Sequence, residues 1–221
     1  MTWTVPNILT LLRLLAAPGV AVMFLYFTRP WADWFALILF LFAALTDFLD
    51  GYLARAWRQE SRFGAMLDPI ADKAMVLIAL MIITGFSGMD PWFLLPATVI
   101  IFREIFVSGL REFLGDRSKS LRVTPLAKWK TTAQMVAIAI LFATGVFEHS
   151  IIERTAGMDE ATIAGIMAGD IPDDIGLLWS VRAQAASWWG GVVLLWVAGG
   201  LTLLTGWDYL QKAMPYLKDA P

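Results

Sequence analysis

The sequence predicts an all-α integral membrane protein with six spanning helices, and three observations carry that expectation. First, 58% of the 221 residues are hydrophobic and only 16% are charged, with a mean hydropathy of +0.65. A soluble domain of this size is nearer half apolar and about a quarter charged. Second, six apolar stretches approach the ~20 residues a helix needs to cross the hydrocarbon core; they cover residues 6–27, 34–54, 69–86, 91–113, 129–147 and 188–209. Third, lysine and arginine are distributed unevenly between the connections, as the orientation rule for membrane helices requires.

The first segment starts at Pro6 and is interrupted by Arg13. Asn7, Thr10 and Arg13 recur every three residues and give it one polar stripe. The N-terminus lacks a charged leader region and a small-residue cleavage site, so residues 1–27 are expected to stay as a membrane segment. The second segment ends in Asp47, Asp50 and Arg55, and the third is interrupted near its start by Asp72 and Lys73. Arg103 and Glu104 lie inside the fourth, and Lys128 and Lys130 open the fifth. Ionisable groups inside membrane helices are costly, so these interruptions are the places to look for function.

Residues 148–187 form an acidic connection carrying Glu148, Glu153, Asp159, Glu160, Asp170, Asp173 and Asp174. Within it, residues 159–168 are expected to make a short surface helix, and Pro172 is expected to interrupt the chain after it. Tryptophans 3, 31, 34, 92, 129, 188 and 189 fall near expected segment ends, where an indole prefers the interface. No internal repeat or low-complexity tract is evident, so one domain over residues 1–221 is the simplest organisation.

One side of the expected bundle holds Arg55, Arg58, Arg62, Lys73, Arg111, Arg117, Lys119, Arg122, Lys128, Lys130, Lys212 and Lys218. The other holds Arg29, Arg154 and Arg182. Both termini and the aspartates are therefore expected in the cytoplasm and the acidic connection outside, in the cytoplasmic (inner) membrane of a bacterium. The chain has no cysteine and a single histidine, His149. Disulfides, cysteine-zinc sites and histidine-based triads are excluded, and hard oxygen ligands remain as the available metal chemistry. Membrane lipids are expected neighbours, and nucleic acid is not an expected partner.

The chemistry concentrates in the array Asp47-x₂-Asp50-Gly51-x₂-Ala54-Arg55-x₈-Gly64-x₃-Asp68-x₃-Asp72. Asp47 and Asp50 share one helix face, as do Asp68 and Asp72. With the stretch from Gly51 to Ser61, and Gly64 after it, allowing the two helices to turn back against each other, two facing carboxylate pairs can hold one or two hard cations, which can clamp a pyrophosphate. Gly51 and Ala54 are small enough to admit a phosphate or nucleotide, and Arg55 offers a fork to phosphate oxygens. Gly51 as a helix end, Arg55 as an interfacial cation and Asp68 as the cap before Pro69 are the purely structural alternatives.

This array resembles the signature of the CDP-alcohol phosphatidyltransferase family. The resemblance implies six helices around a cytoplasm-facing polar cavity, a homodimer, and magnesium- or manganese-dependent transfer of a phosphatidyl group from a CDP-linked lipid to an alcohol. It implies that Asp47, Asp50, Asp68 and Asp72 hold two metals, with Asp68 and Asp72 in catalysis and Asp72 the base. By the same resemblance, Gly51, Ala54 and Arg55, with Gly64, contact the CDP-diacylglycerol donor. The stripe of Asn7, Thr10 and Arg13 is expected to line the donor pocket.

The acceptor is read from other cations. Arg103 and Arg111 lie two turns apart on nearly one face, and Lys128 and Lys130 sit near the cytoplasmic surface. Such groups suit an acceptor that is a phosphate ester; the structural alternatives are Arg103–Glu104 and Arg111–Glu112 charge pairs, with Lys128 and Lys130 as orientation signals. The runs Arg103-Glu104, Ser108-x-Leu110-Arg111-Glu112, Lys128-x-Lys130-Thr131-Thr132-Ala133-Gln134-Met135, Pro6-Asn7-x₂-Thr10-x₂-Arg13 and Leu67-Asp68-Pro69-Ile70-Ala71-Asp72-Lys73 resemble the bacterial phosphatidylglycerophosphate synthases of that family. That likeness implies glycerol 3-phosphate as acceptor and covers most of the chain, the acidic connection excepted. Serine, inositol phosphate or phosphatidylglycerol as acceptor, a divalent-cation carrier, and an array that merely pins helices are the competing readings.

Overall fold

A computed structural model describes residues 4–57, 61–115 and 126–217, without the side chains of residues 48–55. The described chain is helical throughout: α1 (Val5–Tyr26), α2 (Trp31–Ala56), α3 (Arg62–Phe86), α4 (Pro91–Leu114), α5 (Leu126–Thr155), α6 (Glu160–Ala168) and α7 (Leu177–Leu217). By length and composition, α1, α4, α5 and α7 are four helices able to cross a membrane among the described residues.

Local signals explain most of the boundaries. Pro6 sits in the first turn of α1, where its missing N–H costs nothing. Asp90 caps α4 by accepting from the Trp92 N–H at 2.8 Å, and Gly115, with φ +53°, closes its end. The α6 helix matches the expected surface helix and ends at Gly169 in the left-handed conformation.

Three boundaries differ from the sequence reading. The α3 helix starts at Arg62, because the Ser61 hydroxyl accepts the Gly64 N–H at 3.0 Å and caps the turn. Asp68 is therefore inside the helix and is no cap, and Pro69 is accommodated in the helix interior. The α5 helix continues to Thr155, with Glu148 paired to Arg29 and Glu153 to His149 along its extension. The α7 helix begins at Leu177 because both carboxylate oxygens of Asp173 accept backbone N–H groups, from Leu177 at 2.8 Å and Leu178 at 2.9 Å. Much of the acidic connection is thus helical, and Trp188 and Trp189 fall inside α7 instead of at its end. Trp31, Trp34, Trp92 and Trp129 are exposed, as anchors would be, and Trp3 lies outside the described residues.

The helices pack as two compact units, to each of which α3, α5 and α7 contribute a part. In the unit of residues 1–79 and 138–191, α1 packs on α2, and Ala17 of α1 and Ala36 and Ala43 of α2 are fully buried. Small interfacial residues let membrane helices approach closely. Phe40 and Phe142 meet there at 5.7 Å between ring centres. Asp33 of α2, nearly fully buried, accepts from Arg29 at 2.7 and 3.0 Å. A Cβ on Gly145 would strike that pair, so only glycine leaves room for it on α5.

The unit of residues 80–137 and 192–221 has its core among Phe93, Ala97 and Ile100 of α4, Ala137 of α5, and Leu195 and Ala198 of α7. Gln134 donates to Thr202 at 3.2 Å, and the Trp196 indole N–H donates to the Trp92 carbonyl at 2.8 Å.

Candidate active site

The first unit gathers the polar stripe of α1 and the aspartates of α2 and α3 around one guanidinium. Asp68 and Asp72 lie one turn apart on α3, so their carboxylates leave the same face. Arg13 pairs with Asp47 through Nη1, stands 3.3 Å from Asp72 Oδ1 through the same nitrogen, and reaches Asp68 Oδ1 at 3.4 Å through Nη2. Thr10, one turn before Arg13, donates to Asp68 Oδ1 at 2.8 Å. The Arg13 side chain is 2% exposed, whereas those of Asp47, Asp68 and Asp72 are 50%, 46% and 48% exposed. The cation is buried beneath carboxylates that open outward.

Asn7 completes the stripe. Its Oδ1 accepts from the Ser61 hydroxyl at 2.7 Å, which joins the start of α1 to the cap of α3. A Cβ on Gly64 would lie 2.8 Å from that same Oδ1, so the glycine is needed for this approach. Asp50, Gly51, Ala54 and Arg55 belong to α2, but their side chains lie outside the described residues; Arg58, Arg117, Lys119, Arg122 and Lys218 lie outside them entirely.

Among the described residues Arg13 supplies a counter-charge to Asp47, Asp68 and Asp72. The three carboxylates around Arg13 are half exposed, and all-oxygen donors suit a hard divalent cation. No group of three or more acidic or histidine side chains among the described residues encloses a metal position by itself. The chemistry fits magnesium or manganese, with Arg13 already inside the cluster.

The second unit brings together Arg103 and Glu104 of α4, Lys130 of α5, and Thr205 and Tyr209 of α7. Glu104 Oε1 accepts from Arg103 at 3.1 Å and also pairs with Lys130. Arg103 Nη2 reaches the Thr205 hydroxyl at 3.4 Å. Arg111 is exposed, with its guanidinium carbon 5.2 Å from the centre of the Tyr209 ring. The charge pair expected between Arg103 and Glu104 is present, and Lys130 joins the same carboxylate. Lys128 is exposed on α5 and makes no ion pair among the described residues.

Sequence reasoning did not single out Ser61, Thr205 or Tyr209. Only Ser61 had a signal, as a serine three residues before Gly64 in a helix-starting pattern.

A family model described as CDP-alcohol phosphatidyltransferase matches residues 3–196. The chain belongs to the CDP-alcohol phosphatidyltransferase family. Within the curated CDP-alcohol phosphatidyltransferases, it is 63% identical over 219 residues to a CDP-diacylglycerol–glycerol-3-phosphate 3-phosphatidyltransferase of Cereibacter sphaeroides, covering 99% of both chains. That span includes the acidic connection. Enzymes of the same name from Salmonella typhimurium and Escherichia coli K12 are 45% and 44% identical over 143 residues, covering 64% of this chain and 78% of theirs.

Proposed function

We propose that this protein transfers the phosphatidyl group of CDP-diacylglycerol to glycerol 3-phosphate, giving phosphatidylglycerophosphate and CMP in phospholipid synthesis. The observation that carries the reading is the convergence of Asp47, Asp68 and Asp72, from two helices, on the buried Arg13. The full-length likeness to an enzyme of that name supports the choice of acceptor.

Arg13 holds the three carboxylates in register, and Thr10 fixes Asp68 by its hydrogen bond. Asp72 takes the proton from the primary hydroxyl of glycerol 3-phosphate. The resulting oxygen forms a bond to the phosphorus that carries diacylglycerol, and the bond from that phosphorus to the CMP phosphate oxygen breaks. The Asp72 proton then passes to solvent. Asp47, Asp50, Asp68 and Asp72 are the residues that would hold two magnesium or manganese ions, which neutralise phosphate charge when bound. Gly51, Ala54, Arg55 and Gly64, with Asn7 and Thr10, serve the donor; Arg111, Lys130, Arg103 and Lys128 serve the acceptor phosphate.

In this reading α2 and α3 also cross the membrane, making six spans. The exposed Phe35, Ile38, Leu41, Phe42 and Leu45 on α2, and Met81 on α3, support lipid contact. The positive residues near the aspartates support a cytoplasmic site and cytoplasmic termini in a bacterial inner membrane. A polar cavity facing the cytoplasm and a homodimer follow from the family resemblance.

Purified protein given CDP-diacylglycerol, magnesium and one acceptor at a time tests this. Release of CMP with glycerol 3-phosphate is expected. Turnover with serine or inositol phosphate, but none with glycerol 3-phosphate, would overturn the acceptor.

A further inference from the structure

The Ser61 hydroxyl is donor and acceptor at once. Its oxygen accepts the Gly64 N–H at 3.0 Å, and it donates its proton to Asn7 Oδ1 at 2.7 Å. The Ser61 carbonyl accepts the Ala65 N–H at 3.0 Å, where α3 begins. A serine cap needs only the acceptor half of its hydroxyl and can leave the proton to water. Here the proton ties the cap to α1, at an asparagine that is 4% exposed.

The tie is one end of a longer seam. Asp68 and Asp72 follow Ser61 by about two and about three turns of α3, which puts all three on the side that meets α1. Asn7, Thr10 and Arg13 succeed one another along α1 at nearly one turn. The contacts join the two stripes in the same order: Asn7 with Ser61, Thr10 with Asp68, and Arg13 with Asp68 and Asp72. Thr10 and Arg13 act at the carboxylates themselves. Ser61 acts at the start of the helix that carries them, where Gly64 leaves the Asn7–Ser61 pair its room. A slip of α3 along α1 at Ser61 moves Asp72 with it, and a misplacement of about 1 Å can cost about a hundredfold in rate.

We propose that Ser61 is a positioning residue for the transfer: through Asn7 it fixes the register of α3 against α1, and with it the placement of Asp68 and Asp72. This rests on the proposed transferase activity. It adds a residue from the unassigned stretch between Arg55 and Gly64, one that reaches the reaction without touching a substrate.

The test compares Ser61→Gly with Ser61→Thr in the purified full-length chain. Glycine still caps a helix but has no hydroxyl to give Asn7, whereas threonine keeps both donor and acceptor. In Ser61→Gly the kcat of CMP release should fall about tenfold, the order that one hydrogen bond carries. The KM for glycerol 3-phosphate should stay within about twofold and the melting temperature within about 3 °C. Ser61→Thr should stay within about threefold of the wild-type kcat. Adding Ser61→Gly to Asn7→Ala should lower kcat less than about twofold further, because the group the hydroxyl serves is already gone.

An unchanged kcat in Ser61→Gly would overturn the proposal, as would a Ser61→Thr protein as slow as Ser61→Gly. So would a full tenfold loss in the Asn7→Ala background, or a raised KM for glycerol 3-phosphate with kcat intact. A melting temperature lowered in step with kcat would mark a cap that serves stability alone, and would overturn it too. The wild-type protein separates this from the parent reading. If it releases CMP with inositol phosphate and not with glycerol 3-phosphate, that reading of the acceptor fails, while the Ser61 comparison is made with inositol phosphate. No CMP release with any acceptor would overturn both.

Discussion

The guanidinium of Arg13 lies 3.3 Å from the carboxylate of Asp72, joining the first helix to the residue proposed as base. The same group serves Asp47 and Asp68, so one buried cation sets the positions of three carboxylates on two other helices. Removing it leaves mutually repelling acids at the end of apolar helices.

Arg13→Leu should therefore destabilise the protein by about 1–3 kcal/mol, less than a fully buried pair would lose because the aspartates are half exposed. Thermal unfolding in detergent checks this. Added magnesium should restore part of the loss if the aspartates bind it, whereas Arg13→Lys, which keeps the charge without the fork, should fall between.

Gly64→Ala places a methyl group 2.8 Å from Asn7 Oδ1 and 3.3 Å from Ser61 Oγ. Overpacking of this kind costs about 1–3 kcal/mol. The melting temperature should fall and the KM for CDP-diacylglycerol should rise, with Gly64→Ala and Asn7→Ala non-additive when combined.

How much of this was legible in the sequence differs from residue to residue. The array spacing placed Asp68 and Asp72 on one face of α3, because helix periodicity is local. Arg13 was legible as an arginine inside an apolar helix, but not as the partner of the aspartates, since that contact depends on how α1 packs. Helix starts at Pro6 and Pro91 could be read from proline, yet the beginnings of α3 and α7 depend on single side chains, Ser61 and Asp173, acting as caps. Acidic residues suggested a loop over 148–187, but charge does not break a helix, and α5 and α7 extend into it.

Glu104 pairs with both Arg103 and Lys130, so the two sides of the network should respond unequally. Glu104→Ala strands two buried cations and should cost about 3–5 kcal/mol. Lys130→Met leaves Glu104 paired with Arg103 and should cost less, while raising the KM for glycerol 3-phosphate. Denaturation and steady-state kinetics on both variants check the asymmetry; equal losses of stability would contradict it.

The start of α7 should loosen in acid. Burial pushes the Asp173 carboxyl up, but the backbone N–H groups of Leu178, Leu177 and Gly176 and the Arg154 charge outweigh it and hold it below the usual carboxylate value. A depressed carboxylate stabilises the fold above its ordinary pKa, and that contribution disappears as pH falls through the folded value, below about pH 4. Hydrogen exchange at Leu177 and Leu178 should accelerate there relative to the rest of α7, and Asp173→Ala should remove the pH dependence.

The central claim, that the aspartates around Arg13 perform the transfer, is tested most directly by CMP release in Asp72→Asn. The change removes the base while keeping the side chain's shape. The account predicts a kcat lowered at least about a hundredfold, the usual contribution of a positioned general base, with the melting temperature close to that of the wild type. Undiminished CMP release in a folded Asp72→Asn protein would contradict it.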